Sequence, residues 1–317
     1  MEGLISFVIT CYRSEFTIKG VTDEIIATMN LRMEYDYEII CVNDCSPDGV
    51  FYTLRDMAAK NKQIKVINFT KNFSKENAIM AGLRKARGEF VVILDDDGQC
   101  PVDKTWKLID VLKDEAESCD VAMARYQEKK ESAFKRFGSL VNRKLSEQLI
   151  DQPKGLYFEN FLAMKESVVK QIITYTNPYP CLQPLMVQAT HNFINIEMEE
   201  RDRADDQKGG FTFLKSFSQM LDCFTNFSVK PLRIATVIGG ITAAAGFIFG
   251  VALIISKLIM GPEMNEGYAS LMAVILFVGG MIMMMLGTIG EYIGRMYISI
   301  NNAPQYVVKE EINFDED

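Results

Sequence analysis

Histidine is nearly absent. His191 is the only one in 317 residues. Multi-histidine zinc sites and two-histidine iron sites are therefore excluded. One imidazole remains for a nucleophile triad, but it follows Ala189-Thr190 in a mixed segment that reads as structural. A basic excess is also lacking, with 34 Lys and Arg against 42 Asp and Glu and a net charge of −8. That balance argues against nucleic acid as a partner, since phosphate backbones attract basic surfaces. No C-x-x-C pair occurs among the seven cysteines, 11, 41, 45, 100, 119, 181 and 223. Most lie in or beside apolar strand patterns, so they read as reduced core thiols of a cytosolic domain. No G-x-G-x-x-G follows the first apolar run and no G-x-x-x-x-G-K-[ST] is present, which excludes Rossmann dinucleotide and P-loop sites. No basic region precedes an apolar stretch at Met1–Ser6, so no secretory signal is expected. There is no repeat and no low-complexity segment.

Long uncharged runs are what the chain does have. Ile234–Ser256 is 23 residues without a charge, and Tyr268–Ile289 is 22. A bilayer core needs about 20 helical residues, so each run is long enough to cross it. Lys215, Lys230 and Arg233 flank the first run, Arg295 and Lys309 follow the second, and the joining loop has only Lys257. The positive-inside rule then puts both flanks in the cytoplasm. Gly246-x-x-x-Gly250 and Gly290-x-x-x-Gly294 allow close helix approach, within the hairpin or between copies. Residues 132–150 and 211–224 carry amphipathic stripes suited to core packing or to a membrane surface. The tail Lys309–Asp317 holds five acids and one Lys, and reads as a solvated, frayed end.

The first 125 residues alternate apolar runs with helical patterns. The runs are Ile5–Thr10, Tyr37–Val42, Lys65–Phe69, Phe90–Leu94 and Asp120–Ala124. Helix-compatible stretches fall at about 15–30, 48–60, 75–87 and 102–117. Continuous apolar strands separated by helices describe an α/β fold, a doubly wound and mostly parallel sheet. Such sheets bind ligands at the carboxyl ends of their strands.

Residues with chemistry gather at those ends. Asp95-Asp96-Asp97-Gly98-Gln99 follows the fourth run. Three carboxylates there repel one another unless a cation sits among them. Hard oxygen donors suit Mg²⁺ or Mn²⁺, with Asp95 and Asp97 as the candidate ligands and one of them free to act through water. Asn43-Asp44-Cys45-Ser46-Pro47-Asp48 follows the second run, and its acids suit a base or ribose as well as a helix cap. Asn72 and Lys75 precede a helix after the third run, a place that favours an anion. Thr10-Cys11-Tyr12-Arg13-Ser14-Glu15 closes the first. Together these make an acidic, metal-assisted nucleotide site.

At this point the chain resembles a family 2 glycosyltransferase of GT-A fold. It is most similar to the branch that moves a sugar from a nucleotide to polyprenyl phosphate, the dolichyl-phosphate mannose synthases and bactoprenol glucosyltransferases. Asp44, Ser46 and Asp48 match that family's D-x-S-x-D loop, Asp95 and Asp97 its D-x-D, Gln99 the Gln of D-L-Q, and Asn72 and Lys75 its N-F-G-K segment. Gly290-Glu291-Tyr292-Ile293-Gly294-Arg295 and Pro304-Gln305-Tyr306 match a G-E-Y-x-G-R … P-x-Y signature, and Phe227–Arg233 matches the entry to the first span. Thr10 and Arg13 stand where the family has Pro and Asn, Asn43 replaces a frequent acid, and Gly98 replaces Leu. The acidic D-x-G-D-F stretch stands here as Tyr157-Phe158-Glu159-Asn160-Phe161.

The resemblance implies roles for these residues. Asp95, Asp97 and Gln99 would be catalytic, with Mg²⁺ or Mn²⁺ on Asp97 and Asp95. Thr10, Tyr12, Glu15, Asp44, Ser46, Asn72, Lys75 and Asp96 would bind the nucleotide. Arg136 and Ser139, then Arg203 (with Arg201 as a competing match) and Lys208, would hold the acceptor phosphate. The expected reaction is inverting transfer of one sugar from a nucleoside diphosphate sugar, UDP-linked, to undecaprenyl phosphate for cell-envelope polysaccharide. An anionic phosphate acceptor needs no histidine base. The implied layout is a cytosolic GT-A domain 1–210, an amphipathic helix 211–231, spans 232–259 and 268–291 around an external loop 260–267, and a cytosolic tail 292–317. The implied place is the bacterial cytoplasmic membrane, as a multi-pass homo-oligomer with both termini inside. Glu291 and Arg295 are expected to form an i,i+4 pair. Two rivals stand beside this reading. One is a non-catalytic membrane scaffold derived from such an enzyme. The other is a processive polysaccharide synthase, disfavoured by the lack of a Q-x-x-R-W motif.

Overall fold

The computed structural model describes residues 3–126, 144, 147, 151–199, 201, 223, 225, 227–260, 267–301 and 303–314. The chain divides into two compact units, Met1–Ser218 with Asn302–Asp317, and Gln219–Asn301. The amphipathic stretches 132–150 and 211–224 fall almost wholly outside the described residues.

The first unit is an eight-stranded sheet covered by helices. Its strands are β1 (Gly3–Cys11), β2 (Tyr35–Asn43), β3 (Ile64–Phe69), β4 (Phe90–Asp95), β5 (Val121–Tyr126), β6 (Leu162–Lys165), β7 (Phe193–Met198) and β8 (Val308–Ile312). Its helices are α1 (Ile18–Met29), α2 (Val50–Lys60), α3 (Lys75–Lys85), α4 (Thr105–Lys113), α5 (Glu166–Ile172) and α6 (Leu182–Ala189). The spatial order is β7-β5-β6-β4-β1-β2-β3-β8. All five expected strands and all four expected helices of the first 125 residues are present. β6 and β8 run antiparallel to the strands they join.

Side-chain alternation sorts the core. Phe7, Ile9, Ile39 and Val92 face one layer with Ile18, Ile25, Leu54 and Leu108 of the helices. Ile40, Val42 and Ile67 face the other, against Ala78 and Ala81 of α3. Helix α3 lies close on the sheet because Gly82 has no side chain. A Cβ there would collide with Cγ1 of Val8. Burying a strand on both faces leaves no polar alternation, which is why the parallel strands read as unbroken apolar runs. Cys11, Cys41, Cys100 and Cys119 are buried free thiols and Cys45 is an exposed one. The expectation of reduced thiols is met by these five of the seven.

The described part of the tail, up to Phe314, is not frayed. Val308–Ile312 pairs antiparallel with β3 as the last strand of the sheet. Its charges read as solvated because β8 is an edge strand whose Lys309, Glu310 and Glu311 are exposed.

The second unit contains α7 (Lys230–Met260) and α8 (Tyr268–Ile300). Both are long and apolar enough to cross a membrane, by length and composition. Helix α8 continues past residue 291 to Ile300. Large apolar side chains such as Phe247, Phe277 and Met283 are exposed along them, as a lipid-facing helix requires. Arg295 pairs with Glu291 at 2.7 Å, as its spacing implied.

Candidate active site

Strand order reverses between β1 and β4, so the crevice at their carboxyl ends is the switch point where open sheets of this type bind ligands. The register aligns four loops there. Thr10 lies opposite both Val42 and Asp95, and Asn43 opposite Asn68. Each loop turns through a left-handed residue: Arg13 (φ 60°), Cys45 (φ 50°), Ser74 (φ 89°) and Gly98 (φ 77°). Gly98 adopts that backbone without a Cβ penalty, a reason for glycine at this position. Ser74, at ψ 156°, occupies a region that is essentially glycine's and costs on the order of 1–3 kcal/mol. Such strain persists only where the surroundings over-determine it.

Those surroundings are hydrogen bonds between loops. Tyr12 N–H donates to Asp96 Oδ2 at 2.9 Å and Arg13 N–H to Ser46 Oγ at 2.8 Å. Glu15 N–H donates to Asp48 Oδ2 at 3.0 Å, and Glu15 Oε2 accepts Gly49 N–H at 3.0 Å. Ser46 Oγ donates to Asp48 Oδ1 at 2.6 Å. Asp44 accepts Phe73 N–H at 2.6 Å and Ser74 N–H at 3.0 Å, while its carbonyl accepts from Asn72 Nδ2 at 3.2 Å. Burial pushes the Asp44 carboxyl up to about 6 despite these two donors. Burial also pushes Asp96 up to about 6, outweighing the Tyr12 N–H.

Asp95 is the electrostatic centre. One of its oxygens takes the Lys75 ammonium, and the other accepts from Asn160 Nδ2 at 2.8 Å. Burial alone would lower the pKa of Lys75, but the Asp95 carboxylate more than reverses this and holds it above its ordinary value. Lys75 is therefore a fixed cation at the start of α3. Asp97 Oδ1 accepts Gln99 N–H at 3.1 Å. Arg201 N–H donates to Gln99 O at 3.2 Å, which ties the segment after β7 to this loop. The Arg201 guanidinium is taken by Glu24, at 2.8 Å, and by Asp103.

The structure thus gathers Thr10, Tyr12, Glu15, Asp44, Ser46, Asn72, Lys75, Asp95, Asp96, Asp97 and Gln99 on one edge. Arg136, Ser139, Arg203 and Lys208 lie outside the described residues. Asn160 stands in the stretch matched to D-x-G-D-F, but the sequence alone gives it no role at the site. That match was the sequence signal, and the register explains it: β6 pairs antiparallel with β4, with Ile93 opposite Leu162, so extending that register by two puts residue 160 opposite Asp95. Among the described residues, no three His, Cys, Asp or Glu side chains form a metal cage. The hard oxygens of Asp95 and Asp97 still suit Mg²⁺, which is commonly held by one or two carboxylates plus substrate phosphates.

The fold, with this acidic edge at its switch point, is that of a GT-A domain. A solved structure of mannosyl-3-phosphoglycerate synthase from Rubrobacter xylanophilus shares the fold. The match has a TM-score of 0.51 at 16% identity, over 70% of this chain and 71% of that one. Residues 6–173 match the family described as Glycosyl transferase family 2, and residues 230–296 match the one described as GtrB C-terminal hairpin. The bactoprenol glucosyl transferase of Shigella phage SfII is 31% identical over 315 residues, 96% of this chain and 97% of that one. The prophage bactoprenol glucosyl transferase homolog of Escherichia coli K12 is 32% identical over 282 residues, 87% and 89% of the two chains. The chain belongs to glycosyl transferase family 2, and it is a glycosyltransferase with a hairpin of the GtrB kind.

Proposed function

We propose that this protein transfers a single sugar from a nucleoside diphosphate sugar, UDP-linked, to undecaprenyl phosphate at the cytoplasmic face of a bacterial membrane. The observation that carries the reading is the acidic edge around Asp95, with its paired Lys75, in a chain that also holds two helices of membrane-crossing length. The named activity of the bactoprenol relatives supports the acceptor class. Asp44, Asp96 and the loop Asn72–Lys75 would hold the nucleotide and its diphosphate, with the fixed Lys75 ammonium and the first turn of α3 toward the anion. Asp97 with Asp95 would hold Mg²⁺ or Mn²⁺, which when bound supplies positive charge to the departing diphosphate.

A phosphate monoester is already anionic at neutral pH. Its oxygen attacks the anomeric carbon, the carbon–oxygen bond to the diphosphate breaks, and the nucleoside diphosphate leaves with the electron pair. Direct displacement inverts the anomeric centre. The acceptor phosphate needs cations of its own, assigned to Arg136, Arg203 and Lys208, with Ser139 beside Arg136. Arg201 is a poor candidate because Glu24 and Asp103 already hold its guanidinium. Arg203 takes the role instead.

Purified full-length protein incubated with UDP- and GDP-sugars, undecaprenyl phosphate and Mn²⁺ or Mg²⁺ tests this. The expected product is a glycolipid bearing one sugar of inverted configuration. Chelation should abolish turnover, and Asp97→Ala should lower the rate by roughly 10²–10³. Absence of turnover with every donor overturns the reading, and products longer than one sugar favour a processive enzyme.

A further inference from the structure

The loop between β3 and α3 carries Asn72 and Lys75, and it is braced from two sides. Asp44 holds the Phe73 and Ser74 amides from beneath. On the outer side, the chain that follows α8 returns to the same loop. Thr70 N–H donates to Val307 O at 3.0 Å. The Tyr306 ring stacks on Phe69, with centroids 5.1 Å and planes 13° apart. Phe69 in turn meets Phe73 edge-on at 5.7 Å. Tyr306 is itself clamped. Its hydroxyl accepts from Arg84 Nη1 at 3.1 Å. Its neighbour Gln305, 5% exposed, donates to the carbonyls of Tyr175 (3.2 Å) and Asn177 (2.6 Å).

The aromatic row ends one residue before strained Ser74 and two before Lys75. Thr70, Lys71, Asn72 and Ser74 are exposed, so the loop has little other apolar anchorage. We propose that Tyr306 is a positioning residue for the donor site: through Phe69 and Phe73 it holds the Phe73–Ser74–Lys75 turn in the shape that sets Lys75 on Asp95. The inference rests on the proposed reading of this edge as the nucleotide-sugar site. Tyr306 acts through the loop and touches no substrate. It also makes the segment after α8 a working part of the catalytic unit.

The test uses the full-length protein and four variants, Tyr306→Leu, Tyr306→Phe, Ser74→Gly and the double variant Tyr306→Leu/Ser74→Gly. Removing the stack should raise the donor KM roughly tenfold, equivalent to about 1.4 kcal/mol, with the acceptor KM unmoved. Tyr306→Phe keeps the stack and should stay near wild type. Ser74→Gly removes the strain that the row opposes, so adding it to Tyr306→Leu should recover part of the loss. That would be a coupling of the kind contacting residues show. Amide exchange at Phe73 and Ser74 should speed up in Tyr306→Leu before any ligand is added.

The proposal is overturned if Tyr306→Leu lowers the melting temperature while the donor KM stays put, if both KM values rise together, or if Ser74→Gly brings no recovery. Should Tyr306→Leu not fold, Phe73→Leu cuts the same row at its other end and takes the same readings. A wild-type protein inactive with every donor sinks the functional reading alone, since the exchange experiment still reports on the brace.

Discussion

Ser74 sits where glycine belongs, and its backbone angles show the consequence directly. The strain is on the order of 1–3 kcal/mol, while glycine's extra freedom when unfolded costs about 0.5–1 kcal/mol. Ser74→Gly should therefore stabilise the protein by about 1 kcal/mol, read as a higher melting temperature in detergent; a lower one would mean that the turn is not strained. Asp44 gives a pH signature. Its carboxyl rises from 3.8 to about 6 on folding, so the folded state binds more protons than the unfolded one between those values. Stability should then fall as pH rises through that window, by an amount on the order of 2–3 kcal/mol from this residue. Melting curves of wild type and Asp44→Asn should converge toward acid and separate toward neutrality, with wild type losing more. Asn160 gives a charge test. Asn160→Asp would set a second carboxylate against Asp95, and like charges disfavour joint ionisation. The acid limb of the pH–rate profile should move upward, and an unmoved limb would mean that Asn160 does not face Asp95 in the working enzyme.

At the scale of elements, legibility followed burial. β1 to β5 were readable because burial on both faces makes them continuous apolar runs. The carboxyl-edge rule then located Asp44, Lys75 and Asp95 without coordinates. The rule fails for Asn160, because Asn160 precedes an antiparallel strand and so reaches the same edge from the opposite direction. β6 is only four residues, Leu162–Lys165, too short to carry a period. β8 reads from the sequence as a frayed end because an edge strand needs only its backbone to pair. Side chains anchor it at the ends: Lys85 pairs with Glu311 at 2.7 Å, and Asn313 Nδ2 donates to Ala58 O (2.7 Å) and Ile64 O (2.8 Å). Asn313, at φ 63°, holds a turn that asparagine tolerates better than most residues. Asn313→Ala should cost about 1–3 kcal/mol, since it leaves two buried carbonyls without their donor and adds backbone strain. Truncation before Val308 should do more, because it bares the edge of β3 to other chains. Light scattering on heating would show this as a lower aggregation temperature, and an unchanged onset would mean that β8 contributes nothing.

For the molecule as a whole, the hydrophobic content averages two unlike units, an α/β catalytic unit and a pair of long apolar helices, and the average hides both. The sequence gives the helices away by length, while their orientation rests on a few cations. Cys45 allows that orientation to be measured. It is the exposed thiol among the five free ones, the other four being buried, and it lies in the loop after β2. A membrane-impermeant maleimide applied to intact spheroplasts should leave Cys45 unlabelled. Applied to inverted vesicles, it should label the protein, and the label should disappear in Cys45→Ser. The protein should stay with the membrane through alkaline carbonate extraction, as a helical hairpin in the bilayer does and a surface-bound protein does not. If nucleotide lies over the neighbouring Asp44 loop, UDP should slow the labelling in inverted vesicles. Labelling from the spheroplast exterior would reverse the assigned topology and place the donor site away from the compartment that supplies nucleotide sugars.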